Sequence, residues 1–181
     1  MMGNRGILHD HTGRIVRRYA VKRWIACVLE FRGRRRSVMT PGRYTELFFL
    51  DEATALAAGH RPCAECRRAD YLRFRELWSA CIGGPADADS MDARLHAERL
   101  AGKDKRIYRQ QANLLPDGTY IVLDSQPWLL WQGELHGWGD SGYSQRRPIP
   151  RGELEVLTPR SLVSVLGAGY RPGVHPSVSR R

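Results

Sequence analysis

The tightest constraint on this chain is the stretch Thr54-Ala-Leu-Ala-Ala-Gly-His-Arg-Pro-Cys-Ala-Glu-Cys-Arg-Arg68. An Ala-rich segment predicts a short helix that stops at Gly59, where a left-handed backbone costs glycine little. Asp51 is placed to cap that helix and Glu52 to sit against its positive end, so both read as structural. Pro62 keeps the chain extended just ahead of Cys63, and Cys66 follows at the spacing that lets two thiols converge on one metal ion. Arg61, Arg67 and Arg68 surround the pair and are expected to ease ionisation of the thiols. The stretch reads as half of a zinc site on a basic surface.

Other readings of a Cys-x-x-Cys pair fit less well. A thioredoxin-like redox pair opens a helix after a strand, whereas here a helix comes first. Four cysteines (Cys27, Cys63, Cys66, Cys81) allow two disulfides on paper. The N-terminus lacks the apolar core of a secretory signal, which points to the cytoplasm, where metal binding is the commoner use of such a pair. No apolar run approaches the roughly 20 residues that span a bilayer.

The net charge of +10 calls for a polyanionic partner. The excess is concentrated: residues 1–50 hold eleven Lys or Arg against three acids, a local balance of 11 − 3 = +8. A surface meant only for solubility mixes its signs more evenly. Nucleic acid is the partner this implies.

The rest of the chain reads as α+β. Residues Arg23–Phe31 predict a strand, Arg32-Gly33-Arg34-Arg35-Arg36 a cationic turn and Val38-Met39 a returning strand. Such a hairpin presents Arg32, Arg34, Arg35, Arg36 and nearby Arg43 to phosphates. After Cys66 a longer helix carries Tyr71, Phe74, Trp78 and Cys81 on one apolar stripe, which makes Cys81 a core thiol. A loop over 82–90 is the best boundary, giving a zinc module over 1–82, a β-rich part with flanking helices over 90–170 and a loosely held tail over 171–181. Within the second part, Pro116-Asp117-Gly118 signals a hairpin and Trp128–Trp131 a strand, while His136–Arg147 reads as a Gly-rich loop. Trp138 and Tyr143 in that loop read as core, with base stacking as the other use. Thr158-Pro159 opens a last helix that ends at Gly167.

A structural zinc takes four ligands. Cys63 and Cys66 supply two, and Cys27 is the natural third. His9, His11 and His60 are candidates for the fourth; His9 is preferred because Asp10 is at hand to orient its imidazole.

The pattern Phe49-x-x-x-Ala53-x-Ala55-Leu56-Ala57-Ala58-Gly59-His60-Arg61-Pro62-Cys63-x-x-Cys66 resembles the zinc-binding N-terminal domain of the Ada family of alkylation-repair proteins. The resemblance covers about residues 23–70. It implies a small α+β zinc module that binds DNA, in repair or modification. That family carries an upstream Cys-x-x-x-Cys pair, one member of which accepts a methyl group from a DNA phosphotriester; here Cys27 stands alone in that region, and it is the acceptor the resemblance leaves. Nothing after residue 90 resembles the family's later domains.

A zinc enzyme acting on nucleic acid is the alternative. Nucleobase deaminases combine His-x-Glu with Pro-Cys-x-x-Cys, and this chain has His96-Ala97-Glu98 beside Cys63 and Cys66. On that reading His96 completes the zinc ligands and Glu98 shuttles protons. The two halves stand in the reverse order.

Overall fold

The computed structural model describes residues 1–33 and 37–179. Its first part holds β1 (Met2–Asn4), β2 (Ile25–Cys27), β3 (Leu47–Phe48), α1 (Glu52–Ala57) and β4 (Arg61–Pro62). The strands form one sheet in the order β3-β1-β2-β4. β1 lies antiparallel to β2 with Met2 opposite Cys27, and β4 runs parallel to β2 with Ala26 opposite Pro62.

A strand has two edges, and this pairing fills both edges of β2. No edge is left for a strand over Val38-Met39, so the strand expected there does not pair with β2 among the described residues. Val38 and Met39 make a turn instead, with Met39 at a φ of 60° and its N–H donating to Glu46 Oε2 at 3.0 Å. Arg34, Arg35 and Arg36 lie outside the described residues.

The helices follow as α2 (Arg68–Ile82) and α3 (Ala88–Arg99), and a small β5 (Leu100–Ala101) and β6 (Asp104–Lys105) pair leads on from them. Tyr71, Phe74, Leu77 and Trp78 of α2 are buried, but Cys81 is exposed, so it is not the core thiol its spacing suggested. A six-stranded sheet follows, formed by β7 (Tyr108–Gln111), β8 (Tyr120–Leu123), β9 (Gln126–Trp131), β10 (Glu134–Gly139), β11 (Gly142–Pro148) and β12 (Glu153–Val156), in the order β11-β10-β9-β8-β12-β7. The chain closes with α4 (Arg160–Gly167) and a 3-10 turn over Pro176–Ser179. The class is therefore α+β. No helix among the described residues is long and apolar enough to cross a membrane.

Three expectations for this half are corrected. The Pro116-Asp117-Gly118 turn exists, but its flanks do not pair, because β8 has β9 on one edge and β12 on the other. Residues 136–147 are the β10–β11 hairpin, not a loop. Gly137 belongs in it because a Cβ there would come within 3.2 Å of the Trp128 ring. The tail is packed: Val178 is buried, and the backbone N–H groups of Gly173 and His175 donate to Glu52 and Asp51 at 3.0 Å.

Two cores share α4. Leu162, Val165 and Leu166 join Leu56 of α1, Phe74 and Trp78 of α2, and Met91 and Leu95 of α3. Val163 packs instead on the sheet with Ile121, Trp128, Leu135 and Val156. Side chains from both flanks of the 82–90 segment thus meet in one cluster. Residues such as these contribute roughly 1.5–3 kcal/mol each on full burial.

Candidate metal centre

The centre is assembled by backbone register. Capping fixes α1: Asp51 Oδ1 accepts from the Thr54 N–H at 2.8 Å. Gly59 ends the helix at a φ of 88° and turns the chain into β4. Beyond β4, the Cys63 N–H donates to the Ala26 carbonyl at 3.0 Å, which carries the parallel pairing one step further and sets Cys63 beside Cys27. The chain then makes a turn over residues 64–67, closed by the Arg67 N–H on the Cys63 carbonyl at 3.1 Å, and Cys66 comes back toward the same point.

The outcome is a group of three thiols. The Sγ atoms of Cys27, Cys63 and Cys66 all lie within 4.8 Å of one another. Three thiolates at about 2.3 Å from a tetrahedral zinc are about 3.8 Å apart, so the group needs little contraction to hold one. Cys27 and Cys63 are 8% and 6% exposed, and Cys66 is half-buried. All three line a cavity of about 560 Å³, whose wall includes Ile25, Phe31, Tyr44, Glu46 and Phe48. A metal held by the three thiolates would stand at the wall of that cavity, within reach of a ligand in it.

The thiols share their protons. Hydrogen bonding from Cys27, reinforced by the N–H groups of Cys66 and Glu65, brings Cys63 down to about 5 despite its burial. Cys27 is pushed up for the converse reason: it keeps its proton and donates an S–H hydrogen bond to the Cys63 sulfur inside a buried site. Burial leads the upward shift of Cys66. The three-thiol group thus favours a thiolate at Cys63, the form that a metal would bind.

The arginines do not act as expected. Arg61 is buried and forks onto Asp92 of α3, Nε to Oδ1 at 3.0 Å and Nη2 to Oδ2 at 2.7 Å. Arg67 is committed to Glu52 and Asp70, at 2.8 and 2.6 Å. Both hold the scaffold and leave thiol acidity to the hydrogen bonds. Asp92 was invisible as a site residue in the sequence, since its partner lies thirty-one positions away.

His9 is not brought to the thiols. It is buried with Nδ1 at 2.6 Å from Thr45 Oγ1 and Nε2 at 3.3 Å from the Thr40 carbonyl. Asp10 accepts from Thr12 and Arg14 and does not orient the imidazole. His60 is buried elsewhere, its Nε2 accepting from Arg5 Nε at 3.3 Å.

The deaminase pairing is not assembled either. The metal-binding group among the described residues does not include His96, whose Nδ1 accepts from Arg99 at 3.1 Å. Glu98 accepts the Ser161 backbone N–H at 2.8 Å and so caps α4, while the Thr158 hydroxyl, read as that cap, accepts from Tyr120 N–H.

Of the arginines read as phosphate contacts, Arg32 and Arg43 are exposed, and Arg32 lies 5.0 Å over the Phe31 ring. Tyr143 is buried, its OH donating to Asp51 Oδ2 at 2.6 Å, and Trp138 packs half-buried against the same cluster.

No protein-family profile, curated protein or solved structure matches the chain.

Proposed function

We propose that this chain is a zinc protein that binds nucleic acid, DNA in preference to RNA, and that serves DNA repair or modification. The convergence of Cys27, Cys63 and Cys66 carries the zinc half of the reading. Zinc suits the donor set, because thiolate ligands in a tetrahedral array select it over harder divalent ions. The net charge of +10 and the Ada-like stretch support the nucleic-acid half. Exposed Arg32 and Arg43, with Arg34, Arg35 and Arg36 between them, are the cations assigned to the backbone phosphates.

The cavity at the thiols favours a second reading of the same centre, as a reactive one. Zinc bound by thiolates keeps them nucleophilic at neutral pH. Methyl acceptance at Cys27 would form an S–CH₃ bond and release a phosphodiester from a methyl phosphotriester. Its mark is a mass gain of one methyl on the Cys27 peptide after incubation with methylated DNA.

Binding is tested by titrating the zinc-loaded protein with an oligonucleotide at several salt concentrations. The reading expects affinity to fall steeply with salt, and to weaken when Arg34, Arg35 and Arg36 are neutralised together. A flat salt response, or unchanged affinity in the neutralised variant, overturns it.

A further inference from the structure

A second group, of cations, surrounds Trp24. The guanidinium of Arg5 lies 3.9 Å and that of Arg99 3.8 Å from the indole centre. Lys105 completes the group, its Nζ donating to the carbonyl of Ala57 at the end of α1 at 2.8 Å. Among the described residues, Arg5 and Lys105 have no carboxylate within ion-pair distance. Asp92 acts on Arg99 but is itself gripped by Arg61. Buried cations normally have acidic partners, so this excess is expensive as it stands.

The hydrogen bonds show the same imbalance. An arginine only donates, so the bond from Arg5 makes His60 Nε2 the acceptor and places the imidazole proton on Nδ1. That N–H has no partner, and neither has Arg99 Nε–H, although both residues are 0% exposed. The Ala55 carbonyl near His60 accepts the residue's own backbone N–H at 2.9 Å. The cluster therefore holds more donors than acceptors as well as more cations than anions. Burial, then repulsion from Arg5 and Arg99, drives Lys105 down to about 7.

This group has an open side. Arg5, Lys105 and His96 are half-buried, and Tyr19 and Lys22 are exposed. The Tyr19 ring lies 4.9 Å from His96 and 6.0 Å from Trp24. All of residues 14–23 are exposed, in the run Arg-Ile-Val-Arg-Arg-Tyr-Ala-Val-Lys-Arg. Arg18 and Arg23 pair with Asp104 and Asp89, whereas Arg14, Arg17 and Lys22 have no acidic partner among the described residues.

We propose that Arg5 and Lys105, backed by Arg99 beneath Trp24, form a phosphate-binding site whose approach is the cationic segment 14–23. A phosphate supplies the negative charge that the cluster lacks and acceptors for the half-buried Arg5 and Lys105, and Tyr19 beside the site offers a ring for a base. The site rests on and deepens the nucleic-acid reading, since it adds a backbone contact to those assigned to the Arg32–Arg43 region. It shares no residue with the thiol centre.

The experiment uses the zinc-loaded full chain. Melting temperature is followed against inorganic phosphate, with chloride at equal ionic strength as the control, and a short single-stranded oligonucleotide is titrated by anisotropy. Phosphate is expected to raise the melting temperature above the chloride control. Arg5→Gln and Lys105→Gln are each expected to keep zinc, abolish that rise and lower the salt slope of oligonucleotide binding by about one ion. Phosphate binding without oligonucleotide binding assigns the site to a small phosphorylated ligand and overturns only the nucleic-acid reading. If Arg5→Gln fails to fold, Lys105→Gln decides. An unchanged phosphate response in the folded variants, or none in the native chain, overturns the site.

Discussion

The backbone N–H of Cys63 donates to the carbonyl of Ala26 at 3.0 Å, and that bond makes neighbours of cysteines far apart in the chain. It extends the parallel register of β2 and β4 by one residue, so Cys27 and Cys63 leave their strands side by side. The turn after Cys63 then needs only three residues to return Cys66 to them.

The grip of Arg61 on Asp92 keeps β4 in that register against α3. Their side chains are 2% and 4% exposed, so removing one partner strands a buried charge. Asp92→Ala is expected to cost about 3–5 kcal/mol by chemical denaturation. The double change Arg61→Met with Asp92→Leu recovers most of that loss, and zinc affinity falls with Asp92→Ala alone.

Gly59 is held at a φ of 88°, and a Cβ there would come within 2.7 Å of Arg99 Cδ. Gly59→Ala therefore combines left-handed strain with a clash against a buried side chain. A loss of about 2–4 kcal/mol is expected, measured by thermal or chemical unfolding.

Lys105 gives the protein a pH dependence of known sign. Its folded value is about 7 and its unfolded one close to 10.5, so between these the unfolded chain binds the extra proton. Stability then rises with pH through that window, and the penalty for charging Lys105 is complete below about pH 7. Lys105→Met is expected to be the more stable protein at pH 6 by about 1–2 kcal/mol, with the difference shrinking toward pH 10. Denaturation midpoints of both proteins across that range provide the check, and added phosphate should narrow the gap at pH 6.

What the sequence made legible was local. The Asp51 cap, Gly59 at the end of α1, the helix over Arg68–Ile82 and the Cys63–Cys66 pair each rest on residues within a turn or two of each other. Cys27 does lie beside that pair, although its strand is only three residues long and Val38-Met39 does not return along it. What failed was pairing at a distance. The four short strands of the first sheet bury too little for alternation to reveal them, and β1 gave no signal at all. Glycines misled the reading of β10 and β11: Gly137 makes room for the Trp128 ring, and Gly142 opens β11 beside Ser177. The tail looked loose because its anchors, Asp51 and Glu52, lie more than a hundred positions upstream.

Whether Cys27, Cys63 and Cys66 hold a metal together is read out by zinc K-edge absorption on the zinc-loaded chain. Three sulfur neighbours at about 2.3 Å and one lighter atom at about 2.0 Å are expected, with the sulfur shell reduced in Cys27→Ser. A shell of two sulfurs or fewer in the native chain, or a spectrum that Cys27→Ser leaves unchanged, would contradict a shared site.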